Sequence, residues 1–181
     1  MGLMGSKRAA QALVDAHYVP LYRYAYRLAG SEAEAEDLTQ EAFYKAQLKL
    51  SQLKDSSKAK PWLFRILRNL YLHKIRQQKN QPMTFLEDMR DMPERAADPS
   101  VEIDSEQLQS ILNELPEPFR TPIVLYYFED FSYREIAEQM DLPIGTVMSR
   151  LARAKAHLRC RLALPAADLL AAGQWRSTNG L

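Results

Sequence analysis

The chain has 181 residues, 46% of them hydrophobic and 26% charged, and a net charge of +1. That composition fits one ordinary globular domain or two small ones and excludes a disordered acidic chain or a collagen. No apolar run reaches the roughly 18 to 20 residues of a membrane span, residues 1–12 lack a signal peptide's apolar core, and the single cysteine, Cys160, excludes a disulfide framework or Cys-rich zinc site within one chain, so a cytoplasmic protein is expected.

Helical periodicity dominates from the start. Leu13, Val14, Tyr18, Leu21, Tyr22, Ala25 and Leu28 recur at three- and four-residue steps, with Pro20 kinking or restarting the helix and Gly30 as a C-terminal stop. Ser31 and Glu34 form a capping box that opens a second helix, expected to reach Leu53. On it Glu34, Asp37 and Glu41 make an acidic stripe opposite Ala35, Ala42, Ala46 and Leu50. Such a stripe is either a solvated face or a docking surface for a basic protein partner. Asp55-Ser56-Ser57 reads as a loop, and Pro61 suits the first turn of a third helix running to about Lys79. Residues 60–79 carry Lys60, Arg65, Arg68, Lys74, Arg76 and Lys79 and no acid. On a helical wheel Arg65, Arg68, Asn69, Arg76 and Lys79 share one side, and Leu63, Ile66, Leu67 and Leu70 lie opposite; Leu72, among the cations, is the exception. Trp62 and Phe64 stand on the flanks. The strip is either an ordinary solvated face or a track for single-stranded nucleic acid, with cations on phosphates and rings or pockets for unstacked bases.

From Asn80 to Asp104 the periodicity fails. Pro82, Pro93 and Pro99 punctuate a stretch that reads as a linker, and residues 80–109 hold two arginines against eight acids. Helical spacing resumes with Leu108, Ile111, Leu112 and Leu115, and Pro116 and Pro118 separate this helix from the next, Phe119 to Glu129. Ser132 and Glu135 form a second capping box, opening a short helix with Ile136, Ala137 and Met140. Asp141-Leu142-Pro143 is a turn, and Gly145-Thr146 begins a last helix to about Leu162, whose basic residues Arg150, Arg153, Lys155, Arg159 and Arg161 meet no acid. A capped short helix, a tight turn and a longer helix make a helix-turn-helix. Val147, Leu151, Ala154, Leu158 and Leu162 form its packing face. Thr146, Ser149 and Arg153 lie away from it near the N-terminus, where such a helix meets base edges. The alternative is a plain helical hairpin in a bundle. His17, His73 and His157 have no metal-ligand spacing, Cys160 is a lone thiol, and no phosphate-binding loop, nucleophile elbow or zinc-protease motif occurs, so no catalytic residue, cofactor or metal is expected.

Three segments, Leu21 to Leu28, Ala35 to Phe43 and Pro61 to Asn69, together resemble region 2 of extracytoplasmic-function (ECF) sigma factors. Leu115 to Arg120, Tyr133 to Ala137 and Pro143 to Leu151 resemble their region 4, in the same order and across a similar linker. The resemblance implies an all-α fold of two small helical domains, a region 2 bundle over 1–80 and a region 4 helix-turn-helix over 105–164. A flexible acidic linker over 81–104 joins them, and a tail follows over 165–181. It implies a non-enzymatic initiation factor that lends promoter specificity to core RNA polymerase, through the coiled coil of the largest subunit and the flap. It implies promoter DNA as a partner, and an anti-sigma partner, common in the family, but no membrane or small-molecule substrate. By matching position, Asp37, Leu38, Gln40 and Glu41 are the core-docking surface. Ser56, Lys58 and Lys60 in the loop from Asp55, with Trp62, Phe64, Arg65, Arg68, Asn69 and Arg76, take the −10 element as an open single strand. Pro143, Gly145, Thr146, Met148, Ser149, Arg150 and Arg153 read the −35 duplex. Two departures stand out. Met148 occupies a place where the family often has Lys or Arg, and Pro61 replaces a commoner Thr or Ser and stiffens the base-pocket loop. The competing reading is a stand-alone helix-turn-helix regulator that binds duplex DNA without the polymerase.

Overall fold

Capping chemistry sets several of the helix ends in the structure, a computed structural model that describes residues 3–78 and 104–162. Among the described residues there are seven α-helices, two short 3-10 turns and no strand. Helix α1, Leu3–Ala29, continues through Pro20 rather than restarting there. Gly30 then takes φ +73°, a left-handed conformation, and its N–H closes on the Tyr26 carbonyl at 2.7 Å. Helix α2, Glu32–Leu48, starts with the Ser31 hydroxyl accepting the Glu34 N–H at 3.5 Å. Only this half of the expected box forms, because the Glu34 carboxylate turns to Lys74 Nζ at 3.3 Å instead. α2 also ends earlier than its periodicity suggests, giving way to a 3-10 turn at Leu50–Gln52. A second such turn, Ser56–Lys58, is capped by Asp55, and α3 follows as Ala59–Gln78 with Pro61 in its first turn.

The C-terminal half contains α4 (Ser105–Glu114), α5 (Glu117–Phe128), α6 (Tyr133–Met140) and α7 (Ile144–Leu162). At Ser132 the capping box is complete: the Ser132 hydroxyl accepts the Glu135 N–H, and Glu135 accepts the Ser132 N–H at 2.9 Å. Phe131 precedes the cap and Ile136 sits at the fourth helical position. Both are buried in one apolar cluster, the positions of a hydrophobic staple. Asp141 closes α6 at φ 52°, and the Leu142 N–H returns to the Ala137 carbonyl at 3.0 Å, which turns the chain into α7. Ser132→Ala removes the cap from the short α6 and is expected to cost about 1 kcal/mol. The measurement is the urea midpoint at unchanged slope.

α1, α2 and α3 pack on one another, and α5, α6 and α7 do the same. The two groups are also joined, α5 lying on α1 and α6 on α3. One buried cluster runs through both, from Leu21, Tyr24 and Leu67 to Phe119, Ile123 and Val147. Phe64 stands at the seam, with ring centroids 4.7 Å from Tyr24 and 5.4 Å from Phe131. Burying a ring of this kind stabilises by about 1.5 to 3 kcal/mol. The expected linker 81–104, Asp104 excepted, and the expected tail 165–181 lie outside the described residues. No helix among the described residues is long and apolar enough to cross a membrane.

Candidate nucleic-acid interface

α2 presents the acidic ridge. Asp37, Gln40 and Glu41 are exposed, and Glu41 pairs with Lys45 one turn on at 3.1 Å. Leu38 differs from the expected docking set. It is 3% exposed and belongs to the core, because it lies on the same side of the helix as Ala35 and Ala42.

α3 carries the cationic strip, but only part of it faces solvent. Ser56, Lys58, Asn69 and Arg76 are exposed, and Trp62 is half-buried against the core. Two expected base-contacting residues are not presented. Phe64 is fully buried between Tyr24 and Phe131, and Arg68 is 8% exposed. Helical spacing places Arg68 beside Leu67, and α5 and α6 cover that edge. Arg68 Nε donates to Glu117 Oε1 at 3.2 Å and Nη1 to the Gln139 carbonyl at 3.3 Å. Arg65 Nη2 meets both Asp141 carboxylate oxygens, at 2.7 and 2.9 Å. Lys60 Nζ donates to the Glu129 carbonyl at 2.7 Å, lies 3.6 Å from its carboxylate, and stands over the rings of Phe64 and Phe131.

These pairs differ in weight. Arg65 and Asp141 are largely solvent-exposed, and such a pair contributes about 0 to 1 kcal/mol. The Arg68 and Glu117 side chains are each 10% exposed, so removing one strands the other charge, at a cost of about 3 to 5 kcal/mol.

Glu129 is buried at the same seam. Burial pushes its carboxyl up to about 7, against the opposing pull of Lys60 and Arg23, while Asp130 raises it further. A folded-state pKa above the ordinary carboxylate value means that the folded form holds its proton more tightly. This contribution to stability is therefore lost as pH rises from about 4.5 to about 7, and is flat above that. Glu129→Gln is expected to gain stability relative to the parent across that window. Paired thermal melts at pH 5 and pH 7.5 check the sign.

α7 opens freely to solvent at its N-terminus. Pro143, Gly145, Met148 and Ser149 are exposed, and Thr146, Arg150 and Arg153 are half-buried. A Cβ added at Gly145 would meet nothing within 4 Å, so a ligand can approach the backbone closely there. The Ser149 hydroxyl donates to the Thr146 carbonyl at 3.0 Å. Burial lowers the Arg150 pKa, and both Glu117 and Arg68 lie within its electrostatic reach. Val147, Leu151 and Ala154 are buried, as the periodicity predicts, and His157 and Arg161 join them, with His157 Nε2 3.3 Å from Glu114.

Several residues at the seam carry no local sequence signal. Arg120 donates to the Asn113 and Leu115 carbonyls at 2.7 and 2.8 Å, to the Leu28 carbonyl, and to the Tyr71 hydroxyl at 3.4 Å. The Arg27 guanidinium sits 4.2 Å over the Phe128 ring. Glu117, Glu129, Gln139 and Asp141 complete the seam. Their one sequence cue is that three are acids close to the helix-turn-helix of a chain that otherwise bears a basic strip.

Residues 13–81 match the family model described as sigma-70 region 2, and residues 105–158 match sigma-70, region 4. Over 172 residues the chain is 34% identical to the ECF RNA polymerase sigma factor SigW of Bacillus subtilis, covering 87% of this chain and 91% of that one. Its fold is similar, with a TM-score of 0.63 and 27% identity, to the sigma factor RpoE solved in complex with the anti-sigma factor NepR from Bartonella quintana, over 84% of this chain and 92% of that one. A second similar structure is CnrH in complex with the cytosolic domain of CnrY, with a TM-score of 0.59 and 27% identity, over 92% of this chain and 90% of that one.

Proposed function

The chain belongs to the sigma-70 family as an ECF RNA polymerase sigma factor, and on that premise we propose how its surfaces divide the work of initiation. The observation that carries this reading is that sigma-70 regions 2 and 4 match in order along one chain, at 13–81 and 105–158. A stand-alone regulator needs only the second of them.

The exposed acids Asp37 and Glu41, with Gln40, dock on the coiled coil of the polymerase largest subunit. Leu38 supports the ridge from beneath. Complementary charge steers the encounter and fixes its register. The α3 strip takes the −10 element as a single strand. Unstacking a base costs a few kcal/mol, which cations on phosphates and aromatic surface offset. Lys58, Arg65 and Arg76 supply the charge, the half-buried Trp62 a ring, and Ser56 and Asn69 hydrogen bonds, while the buried Phe64 and Arg68 hold the strip from beneath. The N-terminus of α7 enters the major groove at −35, where its unpaired backbone N–H groups favour phosphate. Thr146, Ser149, Arg150 and Arg153 then face base edges and backbone, and the exposed Met148 reaches a thymine methyl or the sugar-phosphate chain. The polymerase performs the bond-forming chemistry, and the sigma factor recognises and opens. The units of this division are 1–80, 105–164 and the linker between them. Action on RNA polymerase places the protein in the cytoplasm. An anti-sigma factor is a further partner, as it is for the sigma factor RpoE.

Arg153→Ala is expected to cost about 1 to 3 kcal/mol of discrimination at one −35 position while melting is retained. Transcription by the reconstituted holoenzyme from promoters mutated base by base in the −35 element tests this, and an unchanged preference would remove Arg153 from the readers.

A further inference from the structure

The exposed side of α7 carries an apolar stripe. Ile144, Met148 and Ala152 follow at four-residue steps, about 40° apart around the helix, so they run from the edge of the packed face out to the outermost line of α7. Ile144 and Met148 are 49% and 51% exposed, and Ala152 is exposed as well. The core contacts of α7 are made by Val147, Leu151 and Ala154 instead. Two large apolar side chains standing in water on one stripe mark a contact surface.

The surroundings of the stripe select its occupant. Residues 142–162 hold no acid. Helical spacing puts Arg153 on one side of the outermost line, and the exposed Lys155 and Arg159 on the other. An apolar line between cations complements a groove walled by phosphates, rather than an apolar protein partner. Gly145 leaves the start of that line open, since a Cβ there would meet nothing within 4 Å. The Ser149 hydroxyl donates its hydrogen to the Thr146 carbonyl at 3.0 Å, so toward a base it acts as an acceptor. The base edges of the major groove offer one apolar group, the thymine 5-methyl. From Ile144 to Ala152 the stripe rises about 12 Å, the length of roughly three to four base pairs.

We propose that Met148 and Ala152 are specificity-determining residues of the −35 contact, each reading a thymine 5-methyl group, with Ile144 closing the stripe at its entrance. The proposal rests on the assignment of α7 to the −35 duplex, and it adds to that assignment the base and the atom that are read. Thr146, Arg150 and Arg153 act by hydrogen bond and charge. The stripe acts by excluding water from a methyl group, so its share of the specificity sits in A·T pairs.

Holoenzyme reconstituted with the full chain tests this on a promoter mapped from its own start sites. Each thymine of the −35 element, on either strand, is replaced singly by deoxyuridine, which removes the methyl and keeps the base pair. Competition against the unmodified duplex reads affinity. The parent is expected to lose roughly fourfold at each of two thymines that lie within about four base pairs. Met148→Gln is expected to erase the loss at one of them and Ala152→Ser at the other, whereas Met148→Leu, still apolar, keeps it. Circular dichroism checks the helices of the variants, and the deoxyuridine arm needs no variant at all. An element without thymine overturns the proposal, as does uracil bound as tightly as thymine at every position of an element whose scrambling still abolishes binding. A loss that both polar variants leave intact also overturns it, because the methyl then acts through the deformability of the DNA. Equal binding to a scrambled element would instead refute the α7 assignment.

Discussion

Reversing Asp37 and Glu41 to arginine is expected to abolish assembly with core RNA polymerase while the fold survives. Both side chains are exposed on α2, away from the core face built by Ala35, Leu38, Ala42 and Ala46. Losing the Glu41–Lys45 pair is a small surface effect, within about 0.5 kcal/mol. At a docked interface each reversal replaces an attraction with a repulsion, and like-charge contact costs several kcal/mol. Two of them should weaken binding at least about a hundredfold, since every 1.4 kcal/mol is a factor of ten. Gel filtration with purified core polymerase reads the loss, and an unchanged melting temperature shows that it is not unfolding. Normal assembly of the doubly reversed protein would remove α2 from the docking surface.

Arg120→Ala should be among the most damaging single changes to stability outside the apolar core. Its guanidinium reaches the Leu28 carbonyl in the last turn of α1 and the Asn113 and Leu115 carbonyls at the end of α4. A cation there satisfies acceptors that the helices leave open and faces the negative ends of two helix dipoles. Truncation leaves these acceptors and the Tyr71 hydroxyl without their donor, at a cost of about 3 to 5 kcal/mol. For a protein of this size that lowers the melting temperature by roughly 10 °C. Arg120→Lys keeps the charge but not the planar fork, and should recover only part of the loss. Urea unfolding distinguishes the three proteins by midpoint.

Local chemistry was legible in the sequence because it depends on residues a few positions apart. The Ser132–Glu135 box, the glycine stop at 30, Pro116 as the break before α5 and the buried stripe of α7 each appear where their spacing places them, although α5 begins at Glu117 and takes Pro118 into its first turn. The acidic ridge on α2 and the exposed start of α7 were readable for the same reason. The seam was not. Arg68 reads as one more cation on a basic strip, and nothing within a helical turn announces Glu117, 49 residues away, as its partner. Phe64 reads as a free ring, yet Tyr24 and Phe131, remote in the chain, pack on it. Glu34 reads as half of a capping box, yet its carboxylate pairs with Lys74 on α3. Periodicity tells which face of a helix can pack. It does not tell which of two charged faces will meet.

Transcription from fragmented genomic DNA of the source organism, by core RNA polymerase with and without this protein, tests the central assignment most directly, with RNA 5′ ends sequenced. The account predicts a set of start sites that depends on the protein and shares two sequence elements at fixed spacing upstream. Start sites identical to those of core polymerase alone, together with a duplex site bound tightly by the protein without polymerase, would contradict it.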